Sequence, residues 1–254
     1  MLPTINIGPL VLPTAGLVYI LGIWIALSVV EKAAATLRLH VAATYTVSVT
    51  ALAAGFIAAR VVFVATHWSA YAENLLGIIW PLTSGFNFSA GLLAGVAGGF
   101  FYARARQLPA GATLDALAPG ILVGLAVVSL ADFLAGPGYG KEADLLWSVD
   151  LFGIQRHPVQ VYEMLVAGLA LLGWHLYRSR REYQGQLFLL ATAIYSAGRF
   201  FVDTFRANAW LTDGGYHVLQ IVLLLIFMGC LMLLGHLARQ QASAQTEAGT
   251  ASEG

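Results

Sequence analysis

Long apolar runs separated by short polar segments dominate this chain. A helix needs about 20 apolar residues to cross a bilayer, and seven windows approach or exceed that length. In the segment RHPVQVYEMLVAGLALLGWHLYR (156–178), the polar residues precede the apolar run instead of following one helical face, as expected for a helix held at a fixed depth in a membrane. The pattern predicts an all-α integral membrane protein with about seven transmembrane helices. The windows are approximately residues 14–32, 42–66, 87–103, 113–135, 159–177, 186–205 and 216–237.

Basic residues between the windows predict the orientation, because Lys and Arg accumulate on the cytoplasmic side of a membrane. On one side of the predicted bundle they are Lys32, Arg38, Arg104, Arg106, Arg178, Arg180, Arg181 and Arg239. On the other side they are only Lys141, Arg156 and Arg206. We therefore expect the N-terminus outside and the C-terminus in the cytoplasm.

Composition supports a membrane protein. The chain is 59% hydrophobic and 10% charged, whereas globular domains carry about 25% charged residues. Its net charge of +0 and the absence of a basic run or metal-ligand cluster predict no nucleic-acid partner, no metal and no cofactor. Cys230 lies in an apolar run and is expected to pack there, and the first apolar run lacks the basic flank of a cleaved signal. Residues 1–240 are predicted to form one membrane domain, and residues 241–254 a disordered polar tail.

Polar and ionisable residues gather at one end of the predicted bundle. In the expected orientation, the second, fourth and sixth windows run outward, and the third and fifth run inward. Ionisable groups inside a membrane usually mark a site, although pairing with one another or snorkelling explains single residues. We therefore expect a polar cavity open to the outer leaflet. Its candidate residues are Arg60, Asn87, Ser89, Asp132, His157, Gln160, Tyr162, Glu163, Arg199 and Asp203.

The sixth window carries a face suited to an anionic headgroup. In YSAGRFFVDTFR, Tyr195, Arg199, Asp203 and Arg206 are spaced by four, four and three residues, which places them on one helical face. A salt bridge from Arg199 to Asp203 is one interpretation. Such a bridge would also leave guanidinium donors for a second anion, which suits the geometry by which Arg holds phosphate.

The fifth window begins with a second such face. His157, Gln160 and Glu163 recur at steps of three, and Pro158 suits the first turn of a helix. Together the two faces would hold an anionic headgroup with a proton acceptor beside it.

These motifs resemble those of the prolipoprotein diacylglyceryl transferases, bacterial enzymes with seven spans. The family pattern HP-x-Q-x-YE is present as HPVQVYE, from His157 to Glu163. The pattern Tyr-x-x-x-Arg-Phe-x-x-acid-x-x-Arg is present as YSAGRFFVDTFR, with Asp203 where the family usually has Glu. The segments INIGPLVLPTAGLVYILG and AARVVFV, the latter around Arg60, are also similar, and the resemblance covers about residues 5 to 240.

The chain departs from the family pattern at several positions. In the third span it reads NFSAG, so that Ser89 stands where the family has a His. In VSLADFLAGPG, Ser129 stands for a signature Arg, Asp132 for an Asn and Pro137 for a Glu, and Ala15 stands for the family's first-span Tyr. Loss of a phosphate-binding cation and gain of a carboxylate would weaken a site for an anionic lipid.

The resemblance implies an enzyme of the bacterial plasma (inner) membrane, with its site at the outer leaflet. It would move diacylglycerol from phosphatidylglycerol, or a related anionic phospholipid, to the lipobox cysteine thiol of a prolipoprotein signal peptide. Arg199, with help from Arg206 or Arg60, would hold the phosphate. His157, Glu163 and Asp132 remain alternative bases, and the supporting residues would be Gln160, Tyr162, Tyr195 and Asp203. Two other hypotheses are a relative with a different lipid or acceptor and a noncatalytic protein that binds a lipid or lipoprotein.

Overall fold

The computed structural model describes residues 4–7, 10–72, 75–79, 85–136, 138–151 and 153–252. Each of the seven apolar windows corresponds to one long helix. The last helix extends well beyond its window and through most of the predicted polar tail, so that the division at residue 240 stays a prediction. The helices are α1 (Thr14–Thr36), α2 (Val41–Thr66), α3 (Trp68–Tyr71), α4 (Leu76–Ile79), α5 (Phe88–Ala105), α6 (Ala110–Ala135), α7 (Val159–Tyr177), α8 (Gln186–Asp203) and α9 (Val218–Ser252).

Within the described residues, five helices are long and apolar enough to cross a membrane, which agrees with an integral membrane protein. They are α1, α2, α6, α7 with the 3₁₀ turn that follows it, and α9. The helices α5 and α8 are less apolar, because α5 is rich in glycine and ends near Arg104, and α8 contains Arg199 and Asp203.

Two short antiparallel hairpins accompany the helices, and the sequence pattern did not predict them. The first pairs β1 (Thr4–Ile7) with β2 (Leu10–Pro13), and the second pairs β3 (Val149–Leu151) with β4 (Ile154–Arg156). The second hairpin leads directly into α7. It therefore fixes where the HPVQVYE segment starts relative to the helix bundle.

The helices pack in two groups that determine where the site can form. Helix α6 packs against α1 and α7, and α8 packs against α7 and α9, while α5 packs mainly against α2. Glycines allow the close approach of α2 and α5: a Cβ added at Gly95 would lie 3.0 Å from the Ala51 carbonyl oxygen, and one at Gly91 would lie 3.0 Å from the Gly55 carbonyl oxygen. Small residues at contacts between membrane helices permit such backbone proximity.

Helix α8 is held at its start by a buried acid from α6. Asp115 has no exposed surface, and its two carboxylate oxygens accept hydrogen bonds of 2.8 Å from the backbone N–H groups of Gly185 and Phe188. Arg181 lies 3.6 Å from the same carboxylate, and the Trp174 indole donates to the Asp115 carbonyl oxygen. An acid that accepts from the first N–H groups of a helix stabilises that end and fixes its position. Asp115 therefore caps α8 and fixes the position of this helix, which carries Arg199.

Candidate functional site

Glu163 is the centre of a buried ionic network at the other end of α8. It lies on the second turn of α7 and is 6% exposed. Its Oε1 atom lies 3.2 Å from Arg199 Nη2 and also binds Arg206 Nη2, while its Oε2 atom accepts a 3.0 Å hydrogen bond from the Ser129 hydroxyl. A carboxylate in contact with two guanidinium groups holds them close together through charge-assisted contacts. Glu163 thus joins helices α6, α7 and α8 and the segment after α8.

A second acid extends the network to the last helix. Asp203, 1% exposed, has one carboxylate oxygen 3.9 Å from Arg199 Nη1 and the other 2.8 Å from His217 Nδ1. The predicted Arg199–Asp203 pair is therefore present, although its distance is long. Tyr195 lies one turn before Arg199 on α8 and interacts with it electrostatically. Tyr195, Arg199 and Asp203 therefore share one face of the helix, whereas Arg206, which was predicted on the same face, lies beyond the end of α8.

Both arginines retain hydrogen-bond donors. Among the residues that the structure describes, Arg199 Nη1 and Arg206 Nε are buried without a hydrogen-bond partner. A buried polar group without a partner is costly. Guanidinium donors that are already held in place by a carboxylate can bind phosphate oxygens with little further ordering. The network is therefore chemically suited to an oxyanion ligand.

Asp132 lies beside this network on the last turns of α6. A Cβ added at Gly138 would lie 3.3 Å from Arg206 Nη1 and 3.7 Å from Asp132 Oδ2, so both side chains lie close to this glycine. Gly138 has φ +75°, a backbone conformation that residues other than glycine rarely adopt. Asp132 interacts electrostatically with Glu163 and Arg206. Pro137, which the resemblance matches to a family Glu, lies outside the described residues.

An aromatic group covers the start of α7. His157 Nδ1 lies 3.2 Å from the Tyr162 hydroxyl, which accepts a 2.7 Å hydrogen bond from the Trp147 indole N–H. The His157 ring also packs against Phe205, with 4.8 Å between ring centroids. Gln160, the second residue of the predicted face, is buried at 3% exposure.

Backbone pairing joins this aromatic group to the ionic network. The Lys141 N–H donates to the Phe205 carbonyl, and the His157 N–H donates to the Lys141 carbonyl. Gly140 allows this arrangement, because an added Cβ would lie 2.3 Å from the His157 carbonyl oxygen. Residues 139–142 therefore lie between the segment that carries Arg206 and the segment that carries His157, and they fix the spacing of the two motifs.

Arg60 lies in a different set of contacts. Its guanidinium donates to the backbone carbonyls of Gly77, Ile78 and Gly85, and it lies 5.4 Å from the centroid of the Tyr71 ring. These contacts hold the segment after α2 over its helix. The structure thus brings Arg199 and Arg206 together but does not bring Arg60 to them, and its phosphate-binding role stays a prediction.

The polar residues of the third window are also separate from the network. Asn87 caps α5 by accepting a hydrogen bond from the Ala90 N–H, and its own N–H donates to the Ala59 carbonyl. Ser89, which stands for the family His, is exposed on the first turn of α5. Because α5 packs mainly against α2, these two residues are carried by another part of the bundle.

Sequence reasoning missed several residues that the structure brings to the site or to its support. His217 stands just before the last apolar run, and its position at the same end of the bundle as Asp203 was a usable signal. Trp147 lies in an irregular loop that gave no periodic signal. Asp115 is a single acid inside an apolar window. Because it caps a different helix, the residues around it in the sequence contain no motif that marks its role.

The fold and the network define a class of protein: a multi-pass membrane protein with a buried carboxylate–guanidinium site at one end of its helices. The chain belongs to the prolipoprotein diacylglyceryl transferase family, whose sequence model matches residues 3–235. It is therefore a member of a family of transferases.

Relatives with this activity in their names align over most of the chain. The phosphatidylglycerol–prolipoprotein diacylglyceryl transferase of Clostridioides difficile is 25% identical over 201 residues, which are 79% of this chain and 81% of the relative. The enzyme of the same name from Finegoldia magna is 27% identical over 219 residues, 86% of this chain and 88% of the relative. That of Staphylococcus haemolyticus is 26% identical over 259 residues and covers 96% of this chain and 91% of the relative.

Proposed function

We propose that the protein transfers a diacylglyceryl group from phosphatidylglycerol to the lipobox cysteine thiol of a prolipoprotein. The observation that carries this proposal is the buried network in which Glu163 holds Arg199 and Arg206 together, while Arg199 Nη1 and Arg206 Nε have no hydrogen-bond partner among the described residues. The names of the relatives supply the reaction and its two substrates. The site residues supply a way to bind a phosphodiester and to stabilise the phosphate that leaves.

We further propose that all seven long helices span a bacterial plasma membrane, with the N-terminus outside. Glu163 is near the start of α7, while Asp132 and Arg199 are near the ends of α6 and α8, so these residues lie at the same end of an antiparallel bundle. Asp115 and Arg181 lie at the opposite end. The larger number of basic residues near Arg181 supports an orientation with that end in the cytoplasm and the ionic network at the outer leaflet.

In this proposal Arg199 and Arg206 hold the lipid phosphate, and Glu163 is a positioning residue. Glu163 fixes the two guanidinium groups before the lipid arrives, so the site loses little side-chain entropy when phosphate binds. Asp203 and His217 restrain Arg199 from the opposite side. The mechanism requires no contribution from Arg60.

His157 is the base that we assign. A thiol with a pKa of about 8.5 needs a base to become a nucleophile near neutral pH. Glu163 is occupied by two guanidinium groups and the Ser129 hydroxyl. If His157 Nδ1–H donates to the Tyr162 hydroxyl, the Nε2 lone pair is available to take the thiol proton.

The reaction then proceeds by displacement at carbon. The proton of the thiol passes to His157 Nε2, and the sulfur attacks C3 of the lipid glycerol. A C–S bond forms while the C3–O bond to phosphate breaks, and the leaving glycerol 1-phosphate takes the electron pair. Charge that develops on the leaving oxygen is stabilised by the guanidinium donors of Arg199 and Arg206.

Reconstitution tests this function. Purified protein in vesicles that contain phosphatidylglycerol should convert a lipobox peptide to its thioether-linked diacylglyceryl form, as measured by mass spectrometry. Arg199→Ala should abolish the product, and His157→Gln should lower the rate at neutral pH more than at high pH, where the thiol ionises without help. Arg180→Ala is the matched control, because this exposed arginine lies at the opposite end of the bundle. Absence of the thioether product from folded wild-type protein would contradict the proposal.

A noncatalytic lipid-binding protein is the second candidate, and the positions of two serines favour it. Ser129 supplies an uncharged hydroxyl to Glu163 where the family has an arginine, and Ser89 lies exposed on α5 where the family has a histidine. This candidate predicts that phospholipid copurifies with the protein and remains unchanged after incubation with the peptide.

A further inference from the structure

A cavity of about 370 Å³ lies at the end of the bundle opposite the Glu163 network. It is formed between the start of α2 and the end of α5, and its lining includes His40, Thr46, Tyr102 and Arg106. Its volume is within the range of small-molecule sites, roughly 300–1,000 Å³. None of its lining residues takes part in the proposed transfer reaction.

Arg106 supplies a cation to this cavity. Its guanidinium carbon lies 5.5 Å from the centroid of the Tyr102 ring, one turn earlier on α5. In the described part of the chain, no ion pair or side-chain hydrogen bond engages this guanidinium. The ring holds the planar group in place, and its N–H donors remain for an anion.

His40 supplies a second donor from the start of α2. Its Nδ1 atom accepts a 3.2 Å hydrogen bond from the Ala43 N–H and so caps this helix. A neutral imidazole whose Nδ1 accepts a hydrogen bond carries its proton on Nε2. The Nε2–H group is therefore a donor for a ligand in the cavity.

The two chain turns beside the cavity are tightly closed. Arg38 and Gln107 have φ values of +57° and +53°, and among the described residues they alone adopt this left-handed conformation without being glycine. The N–H of the residue after each of them donates back to the last turn of α1 or α5. These hydrogen bonds fix the backbone on both sides of the cavity before a ligand binds.

Basic residues outnumber acidic ones around the cavity. Residues 31–46 and 102–108 contain four Lys or Arg side chains and one acid, Glu31. In the proposed orientation this end of the bundle lies at the cytoplasmic leaflet, where basic pockets between membrane helices bind anionic headgroups. The local charge therefore favours an anionic ligand from the membrane.

We propose that the cavity binds the headgroup of an anionic phospholipid of the cytoplasmic leaflet, with its phosphate against Arg106 and His40. Leu108 on the cavity lining and the exposed Phe101 near the end of α5 provide apolar contacts for the rest of the lipid. A soluble phosphate compound would gain nothing from these apolar side chains. Because α5 packs mainly against α2, a lipid that contacts both helices stabilises their pairing. The inference rests on the proposed orientation for its leaflet and is independent of the transfer reaction.

Photolabelling tests the proposal. The full chain is placed in nanodiscs with phosphatidylglycerol that carries a photoreactive group on its headgroup, and the labelled peptides are identified by mass spectrometry. Peptides that contain residues 40–46 and 102–108 should be labelled. Arg106→Ala should lower this labelling about tenfold, the size expected for one charge-assisted contact, and should still form the thioether product with a lipobox peptide. A phosphatidylcholine probe of the same design should label these peptides about tenfold less.

Arg104→Ala is the matched control, because it removes an equal charge from an exposed position on the last turn of α5 and should leave the labelling unchanged. Absence of label from both peptides in the wild type, or equal labelling by the two probes, would overturn the proposal. Unchanged labelling in Arg106→Ala would overturn it as well. Displacement of the lipid by a tenfold excess of inorganic phosphate would show that free phosphate fills the cavity and would overturn the lipid assignment. Labelling of these peptides by a wild type that forms no thioether product would contradict the proposed transferase function and support the second lipid site.

Discussion

At the scale of single residues, Glu163 has the most connected side chain of the site. Because it contacts both Arg199 and Arg206 in a buried region, its removal leaves Arg206 without its carboxylate contact and Arg199 with only the longer contact to Asp203. Breaking a buried ionic contact from one side costs about 3–5 kcal/mol. An amide at this position would still accept hydrogen bonds but would carry no charge.

We therefore expect Glu163→Ala to lower the free energy of unfolding by about 3–5 kcal/mol, and Glu163→Gln to lower it less. Thermal unfolding in detergent would measure both changes. The matched control is Glu142→Gln, which removes an exposed carboxylate 3.8 Å from Arg156 and should change stability by less than about 1 kcal/mol. Equal effects of the Glu142 and Glu163 variants would show that the network does not stabilise the fold.

The spacing of residues in the sequence predicted the shared face of α8 but not the contacts of Arg60. Helical spacing correctly placed Tyr195, Arg199 and Asp203 on one face, because the positions of side chains around a regular helix follow from their numbers alone. The position of Arg60 in the second apolar window predicted the same depth for it. That position does not show which way the side chain points. The structure shows Arg60 bound to carbonyls that come after its own helix, and those contacts depend on a tertiary fold.

At the scale of elements, the α8 helix depends on an acid from another helix. Asp115 accepts hydrogen bonds from two N–H groups at the start of α8, where the sequence offers Gly185 instead of a capping side chain. Its loss would leave these donors and the Arg181 guanidinium without their carboxylate. Because α8 carries Arg199, the effect would extend to the other end of the bundle.

Asp115→Ala should lower the free energy of unfolding by about 2–4 kcal/mol, as the loss of a buried cap and ion contact implies. Hydrogen exchange should accelerate first at the amides of Gly185 and Phe188. Asp213→Asn, at an exposed position after α8, should leave both measurements unchanged. Protection of these two amides in Asp115→Ala equal to that in the wild type would contradict the assigned cap.

The pairing of α2 with α5 provides a test that does not involve charge. At Gly95 an added methyl group would approach the Ala51 carbonyl oxygen to 3.0 Å, whereas at Gly229 on α9 it would meet nothing within 4 Å. Gly95→Ala should therefore lose about 1–3 kcal/mol from overpacking. Gly229→Ala should be neutral or stabilise by up to about 1 kcal/mol, because alanine favours helix. If thermal unfolding shows Gly95→Ala to be more stable than Gly229→Ala, the described contact between α2 and α5 is contradicted.

The elements that sequence could predict are those with a long uniform pattern. The apolar runs predicted all seven long helices, because each run is long enough to form several turns of helix. The hairpin from Val149 to Arg156 escaped prediction because each strand has only three residues. Helix α9 continues to Ser252, after the apolar residues stop, and hydropathy alone does not mark that boundary.

At the scale of the whole molecule, the charged groups divide between the two ends of the bundle. The Glu163 network occupies one end, and the Asp115–Arg181 pair occupies the other. This division, with the distribution of basic residues in the loops, supports the proposed orientation. The order and apolar character of the helices could be predicted from the sequence, whereas their grouping, which leaves Ser89 and Arg60 away from Glu163, required the structure.

Site-directed labelling would measure the orientation. In a Cys230→Ser background, Asp144→Cys should react with a membrane-impermeant thiol reagent added to intact cells, because this exposed residue lies at the proposed outer end. Arg180→Cys should react only after the cells are opened. The reverse pattern would show that the ionic network faces the cytoplasm.

Complementation in cells tests the central claim, that the Glu163–Arg199–Arg206 network performs diacylglyceryl transfer, most directly. The wild-type chain and Arg199→Ala are expressed in bacteria depleted of their own prolipoprotein diacylglyceryl transferase, and the lipid modification of a reporter prolipoprotein is measured by mass spectrometry. We expect a diacylglyceryl-modified reporter and restored growth with the wild type, and an unmodified reporter with Arg199→Ala at equal expression in the membrane. An unmodified reporter with the wild-type chain, or full modification with Arg199→Ala, would contradict this claim.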